Sequence, residues 1–169
     1  MTEISFTLPV LDKRMNDMVA KTHGKITGGC LCGAVSVTLA EPKSVAEICH
    51  CTMCRQWGGG PFMGVSSCSY AINGHGFVTV YQSSSWAERA FCSICGSNLY
   101  FRFLPSDHYS FCAGLFPFDA GVQMGKQIFI DEKPDFYDFS QETDKQTGAQ
   151  VIAEAIAAGF TFTKSENES

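Results

Sequence analysis

Charge is the first thing that this 169-residue sequence lacks. It has 12 Lys and Arg and 17 Asp and Glu, so charged residues make up 17% of the chain, against about 25% in an average globular protein. Hydrophobic residues reach 45%, and this combination excludes an intrinsically disordered chain. The net charge of −5 and the lack of a Lys/Arg cluster argue against a nucleic-acid partner.

Long apolar runs are also missing. The longest candidate, residues 151–162, is interrupted by Glu154 and is shorter than the roughly 20 residues that span a bilayer. The first 18 residues contain Glu3, Asp12 and Asp17 and no cationic segment ahead of an apolar stretch, so they do not have the pattern of a secretory signal peptide. We therefore expect a cytoplasmic protein with no membrane partner.

Cysteine, in contrast, is abundant, with nine residues in the chain. Because the count is odd and no export signal is recognised, a disulfide framework is the weaker explanation. Only Cys68 and Cys112 stand alone, and the other cysteines fall into close groups. Such clustering favours metal binding.

The rest of the sequence predicts short strands separated by glycine-rich turns. Residues 34–39 (AVSVTL) alternate with period two and are rich in β-branched side chains, which is typical of a strand. Similar segments lie at 45–50, 62–66, 77–81, 86–91, 99–103, 109–113 and 127–130. Helices are predicted only at 52–57 and at 147–158, where Gly159 is a stop signal, with a short one conceivable at 15–21. We expect a mainly β fold of short antiparallel strands with little helix.

The first cysteine group combines two glycine-flanked turns. Cys30 and Cys32 lie in GGCLCG, and Cys92 and Cys95 form a CxxC followed by Gly96. Two such pairs can complete a four-thiolate zinc site, which is closed and therefore stabilises a fold without catalysing. A thioredoxin-like redox pair at Cys92 and Cys95 is the alternative, but that motif expects a helix after its first cysteine, and the following LYFRF has strand character.

The second cysteine group offers three thiols within six residues. Cys49 and Cys51 would share one face of a strand end, His50 would point to the other face, and Cys54 would fold back from the next turn. Three thiolates leave one zinc position exchangeable, as in catalytic sites. Their zinc complex would carry a net charge of −1, which suits it to holding an incoming thiol as thiolate rather than to hydrolysis.

Two other interpretations of this second group remain open. A fourth protein ligand (His50, Cys68 or Cys112) would close the site and make it structural. Without metal, the three thiols would be buried or redox-active cysteines.

Three motifs together resemble the glutathione-dependent formaldehyde-activating (GFA) family, which includes centromere protein V. They are residues 28–33 (GGCLCG), 49–54 (CHCTMC) and 91–99 (FCSICGSNL), and residues 128–139 (IFIDEKPDFYDF) look like the closing segment of the family. The resemblance implies an Mss-four-like, zinc-stapled β fold. It divides the chain into an N-terminal extension (1–25), the zinc domain (26–139) and a C-terminal tail with a short helix (140–169).

The resemblance also implies two zinc sites and an activity. Cys30, Cys32, Cys92 and Cys95 would hold a structural zinc, and the set Cys49, Cys51 and Cys54 would hold the zinc of the active site. The founding activity adds glutathione to formaldehyde to give S-(hydroxymethyl)glutathione, and in reverse it is that of a carbon–sulfur lyase. The partners would thus be a small thiol and an aldehyde.

Some candidate residues surround the second group. His50, Tyr81 and Arg55 are candidates for the acid that protonates the new alkoxide. Arg55 with Gln56 could meet a carboxylate of glutathione, and Trp57 and Phe62 could wall an apolar pocket. The competing functions are a non-catalytic zinc-stabilised binding module and a thiol redox sensor.

Overall fold

Short strands dominate the computed structural model, which describes residues 24–118 and 122–162. The strands are β1 (Ile26–Gly29), β2 (Ser36–Ala40), β3 (Val45–Cys49), β4 (Phe62–Val65), β5 (Ser69–Asn73), β6 (Val78–Ser84), β7 (Ala87–Cys92), β8 (Asn98–Phe103), β9 (His108–Cys112), β10 (Gln123–Ile128) and β11 (Lys145–Gln146). The helices are α1 (Thr52–Gly58) and α2 (Gly148–Ala157), and four short 3₁₀ turns connect strands. None of the described helices is long and apolar enough to cross a membrane.

The mainly β prediction is therefore confirmed. Every strand predicted from the sequence is present, as are the helices predicted at 52–57 and 147–158. The short helix considered at 15–21 lies outside the described residues, and so does most of the proposed N-terminal extension. Strands β1, β5 and β11 were not predicted.

The strands form two sheets. The larger has the order β11-β10-β3-β4-β9-β8-β7-β6, and the smaller has the order β1-β2-β5. Most neighbours are antiparallel, but β10 pairs in parallel with both β3 and β11. Neither of these pairs is a hairpin, so no tight turn dictates the direction of β10.

The main hydrophobic core joins the two sheets. In β2, Val37 and Leu39 are fully buried and alternate with half-buried neighbours, as expected for a strand with one face inward. They belong to one cluster with Val65 of β4 and Phe111 of β9 from the larger sheet. The first cysteine group adjoins this core through Cys30 and Cys92, which are both buried.

The C-terminal segment packs against the opposite face of the larger sheet. Helix α2 begins with a capping box between Thr147 and Gln150, and the backbone N–H of Gly148 donates a hydrogen bond to Asp131 Oδ1 at 2.8 Å. Beyond the helix, the ring of Phe162 lies 5.8 Å from that of Trp86. The segments at both ends of α2 are thus attached to the rest of the fold. Between the helix and the sheet lies a chamber.

Candidate metal centres and the adjoining cavity

Two glycine turns bring the four cysteines of the first group together. One turn closes with a hydrogen bond from Gly33 N to Cys30 O, and the other with one from Gly96 N to Cys92 O. Gly33 and Gly96 have φ values of 77° and 74°, which only glycine adopts without strain. The two turns face each other, because the backbone N–H of Leu31 donates to Ser97 Oγ at 3.0 Å.

The sulfur geometry of this group fits a tetrahedral zinc ion. The Sγ atoms of Cys30 and Cys32 lie 3.6 Å apart, and those of Cys32 and Cys92 lie 3.8 Å apart. Four sulfurs at about 2.3 Å from zinc would lie about 3.8 Å from one another, whereas a disulfide requires about 2.05 Å. All four sulfurs, including that of Cys95, lie within 4.8 Å of one another. These residues can hold a metal with no position left open.

Hydrogen bonds to two cysteines of the same group, Cys30 and Cys95, favour their thiolate forms. Val35 N donates to Cys30 Sγ at 3.2 Å, and the hydroxyl and backbone N–H of Ser97 lower the pKa of Cys95 to about 5. A donor aimed at sulfur stabilises its ionised form, which is the form that binds metal.

The second group lies where β3 passes into α1. Cys49 is the last residue of β3, Cys51 is the N-cap of α1, and Cys54 lies in the first turn of the helix. Cys51 Sγ accepts a hydrogen bond from Cys54 N at 3.4 Å. The three sulfurs lie within 4.8 Å of one another, so the structure brings together the trio that the sequence predicted.

His50 is turned away from these sulfurs, as strand alternation predicts. Its ring is fully buried, with Nδ1 2.7 Å from the Tyr137 hydroxyl and Nε2 2.8 Å from Gln127 Oε1. The amide oxygen can only accept, so Nε2 carries the proton and Nδ1 accepts from Tyr137. Burial lowers the pKa of His50, which is therefore neutral, and both ring nitrogens are occupied.

The two isolated cysteines do not join the trio. Cys68 is exposed. Cys112 packs beside Cys54 and Phe62, yet it is not among the sulfurs that lie within 4.8 Å of one another. Burial, with the nearby Cys54, raises the pKa of Cys112 to about 12, so it is a neutral thiol. Within residues 24–118 and 122–162, no fourth Cys, His, Asp or Glu completes the group.

A buried arginine adjoins the trio, and the sequence did not predict it. Arg89 of β7 is 3% exposed, and its Nη2 lies 3.6 Å from Cys54 Sγ. Its guanidinium also donates to Ser83 Oγ and lies 5.4 Å from the centre of the Phe101 ring. The ion pairs of the described residues involve Arg102 and Lys126 instead, so Arg89 has no carboxylate partner within ion-pair distance among them and is directed to the Cys54 sulfur.

The charge of Arg89 acts on Cys54. The thiols of Cys49 and Cys51, together with the Arg89 guanidinium, lower the pKa of Cys54. The thiols of Cys51 and Cys54, together with burial, raise the pKa of Cys49, because crowded sulfurs cannot all ionise without a cation among them. A metal ion would supply the charge that lets all three ionise.

All three cysteines of the trio line a cavity of about 590 Å³. Its floor is the large sheet, and its opposite wall is α2. The apolar lining residues include Ile48, Met53, Phe62, Trp86, Phe101, Phe103, Ile128, Phe129, Val151, Ile152, Ala155 and Phe162. Its position beside three sulfurs makes it the candidate active site.

Not every residue that the sequence singled out lines this cavity. Phe62 does, while Trp57 lies behind it with ring centres 5.5 Å apart. Arg55 donates through Nε to His50 O at 2.9 Å and lines a smaller pocket of about 200 Å³ with Gln56. Tyr81 is 63% exposed and lines neither. His108 and Ser110, to which the sequence gave no role, do line the larger cavity.

Comparisons with known proteins agree with the resemblance. Residues 25–131 match the family described as glutathione-dependent formaldehyde-activating enzyme. An uncharacterized lyase of Schizosaccharomyces pombe is 37% identical over 133 residues, which cover 76% of this chain and 96% of that protein. A crystal structure of a Rhodobacter sphaeroides protein aligns with a TM-score of 0.44 and 23% identity, covering 54% of this chain and 88% of that one.

The family match contains both cysteine groups, β1 to β10 and Arg89, and it ends before α2 begins. It thus spans both candidate metal centres and all strands of the larger sheet except β11. By its sequence, this chain belongs to the glutathione-dependent formaldehyde-activating enzyme family.

Proposed function

We propose that this protein is a zinc-dependent enzyme of the carbon–sulfur lyase type, which adds a glutathione-like thiol to a small aldehyde to form an S-hydroxymethyl adduct. One observation carries the proposal: three sulfurs with no fourth ligand among the described residues lie at the edge of a cavity. The family description, which names glutathione and formaldehyde, and the name of the fission yeast relative, which describes a lyase, support the proposal.

The two cysteine groups divide the roles. Cys30, Cys32, Cys92 and Cys95 would hold a structural zinc with a closed coordination sphere. Cys49, Cys51 and Cys54 would be the catalytic set and would hold a zinc ion with one position open to the cavity. These three residues would thereby place a cation beside an incoming thiol, and such a cation would favour the ionised thiol near neutral pH.

Arg89 gives the catalytic set a second cation. Three thiolates and Zn²⁺ sum to −1, and a fourth sulfur anion would bring the sum to −2. Arg89, with Nη2 3.6 Å from Cys54 Sγ, cancels one of these charges within a buried site where charge interactions are strong. We infer that Arg89 strengthens thiol binding, and we assign it a positioning role.

The reaction balances without a further reagent. The S–H bond of the thiol breaks, its sulfur forms a bond to the aldehyde carbon, and the carbonyl oxygen takes a proton to become a hydroxyl. The protein contributes mainly by holding both reactants together, since thiols and aldehydes also combine unaided. Of the acids considered from the sequence, His50 is neutral with both nitrogens bonded, so water is the simplest proton source.

The test combines metal analysis with turnover. Purified protein should contain about two zinc ions per chain, and glutathione should perturb one of them in an absorption spectrum of the cobalt-substituted protein. Cys54→Ser should retain about one zinc and lose acceleration of S-(hydroxymethyl)glutathione formation, measured by NMR exchange at equilibrium.

Cys112→Ser is the matched control, because Cys112 packs against Cys54 and yet lies outside the trio. It should keep both zinc ions and wild-type turnover. Loss of one zinc in Cys112→Ser would identify a closed, structural site. Wild-type rates in Cys54→Ser would refute the catalytic assignment, and disulfide formation with zinc loss under mild peroxide would favour a redox sensor instead.

A further inference from the structure

The cavity is much larger than formaldehyde chemistry requires. Formaldehyde has two non-hydrogen atoms, whereas the cavity measures about 590 Å³. Cavities of about 300–1,000 Å³ ordinarily enclose ligands of ten or more such atoms. If formaldehyde alone reacted beside Cys49, Cys51 and Cys54, most of the chamber would contribute nothing to binding.

The polar groups of the cavity are few and largely engaged. They belong to Glu47, Thr52, Arg89, His108, Ser110 and Glu132. Glu132 accepts hydrogen bonds from the backbone N–H and the hydroxyl of Thr52, at 2.7 and 2.8 Å, and Arg89 is directed to Cys54.

This polar set does not match glutathione. Arg89 is the one Arg or Lys among the described lining residues. Its Nη2 contacts Cys54 Sγ, and its Nε has no hydrogen-bond partner within the described part of the chain, so the two carboxylates of glutathione would have to share a single, partly engaged cation there. The peptide part of such a thiol belongs at the mouth of the cavity, and the chamber is left to a different group.

The cavity wall that is formed by the C-terminal residues is apolar. Helix α2 contributes Val151, Ile152 and Ala155, and Phe162 follows from beyond the helix. Phe103 faces them from β8, and Trp86 faces them from the turn between β6 and β7. Such a wall gains free energy only from burying apolar surface.

We propose that one of the two reactants carries an apolar chain, which lies between α2 and the sheet while its reactive end meets the cysteine trio. This inference rests on the proposed thiol–aldehyde addition and names its substrate class. This apolar hydrocarbon chain can belong to an aldehyde, R–CHO, or to a thiol, R–SH. Both give the same balanced product type, R–S–CH(OH)–R′, with no oxidant or reductant.

Helix α2 offers a matched pair of alanines for the test. Ala155 lines the cavity, whereas Ala153 is exposed and does not line it. Both lie within the same helix, so Phe at either position has a similar effect on helix propensity. Ala155→Phe would place a ring in the chamber, and Ala153→Phe would place it in solvent.

The first measurement uses unreactive alcohols and is independent of turnover. Hexan-1-ol should bind the wild-type protein about fifteenfold more tightly than butan-1-ol, because each buried methylene gives about fourfold. Ala155→Phe should weaken hexan-1-ol binding by roughly tenfold or more, and Ala153→Phe should leave it unchanged. An NMR titration reports these affinities.

The second measurement compares kcat/KM in two arms. One pairs glutathione with hexanal or formaldehyde, and the other pairs formaldehyde with hexanethiol or glutathione. A preference for the six-carbon reactant in either arm, lost in Ala155→Phe and kept in Ala153→Phe, supports the inference and identifies the reactant that carries the chain.

The outcomes separate the two proposals. Hexan-1-ol binding that depends on Ala155, with no turnover in either arm, would support the apolar site and refute the proposed reaction. Turnover of formaldehyde with glutathione, with no alcohol binding and no chain preference, would overturn the inference and leave the proposed reaction standing.

Discussion

The two cysteine groups differ in how the chain presents them. The first is built from two glycine turns, so that four sulfurs converge from two sides on a closed position. The second is built from a strand end and a helix start, so that its three sulfurs approach from one side. The other side of the second group is a cavity. Similar ligands would thus give a closed or an open metal centre according to the local backbone that carries them.

Their surroundings differ as well. Cys30 and Cys92 join the main core between the two sheets, where a bound metal would take the place of apolar packing that short strands cannot supply. The second group adjoins a smaller cluster and a buried arginine. A closed group next to the core is suited to stability, whereas an open group next to a charge and a cavity is suited to binding a reactant.

The largest effect should come from breaking the first group. We expect Cys92→Ser to prevent stable folding, because structural zinc contributes about 10–16 kcal/mol in small zinc domains and native proteins are stable by only about 5–15 kcal/mol. Circular dichroism and thermal unfolding test this. Cys68→Ser, at an exposed position outside both groups, should change stability by less than about 0.5 kcal/mol. A folded Cys92→Ser with wild-type Tm would show that the first group has no structural role.

Stepwise chelation should separate the two groups within one protein. The three-sulfur group should lose its metal first, because fewer ligands hold it and its open position admits a competing chelator. Turnover should disappear with the first equivalent released while Tm changes little, and unfolding should follow the second. Simultaneous release of both metals with loss of structure would contradict the division of roles.

A smaller effect is expected when the charge beside the second group is removed. Arg89→Met should raise the KM for the thiol roughly tenfold, which corresponds to about 1.4 kcal/mol, and alter the KM for the aldehyde less. Arg102→Met is the control, since Arg102 pairs with Glu88 and Asp107 at 3.0 and 2.7 Å and does not line the cavity. Equal changes in both KM values would point to general disruption.

The smallest effect concerns the side of the chain away from the sulfurs, where His50 follows directly after β3. Tyr137→Phe removes the hydrogen bond to His50 Nδ1 and should cost about 0.5–1.5 kcal/mol of stability. Turnover should be retained, because the bond lies behind the trio. Urea denaturation measures the first quantity. A large loss of activity with unchanged stability would instead assign His50 a part in the reaction.

Much of the fold could be predicted because its signals are local. Alternation such as that of AVSVTL predicted strands, and the capping residues of α2 lie where the sequence placed a helix. Strand β1 (ITGG) was missed because its glycines look like a turn. The structure needs glycine there for packing: a Cβ at Gly28 would lie 2.1 Å from the carbonyl oxygen of Leu115.

The site was predictable where spacing along the chain encodes it, and not where tertiary packing does. CxC, CxxC and CHCTMC carry their geometry within a few residues. Arg89 gave no signal, because an arginine in a strand ordinarily faces solvent and only the fold places this one beside Cys54. The cavity wall was missed for the same reason: the sequence predicted a helix at 147–158, but not the part of the sheet that faces it.

The position of α2 in the sequence has a consequence for how related proteins can diverge from one another. The family match ends at residue 131, whereas α2 begins at Gly148, so the sulfur centres and the far side of the chamber are encoded by separate stretches of polypeptide. Exchange of the C-terminal stretch can therefore reshape the chamber without altering the ligand sets. Such an arrangement would let one chemistry serve different substrates, and it makes residues 148–162 the natural place to engineer a new specificity.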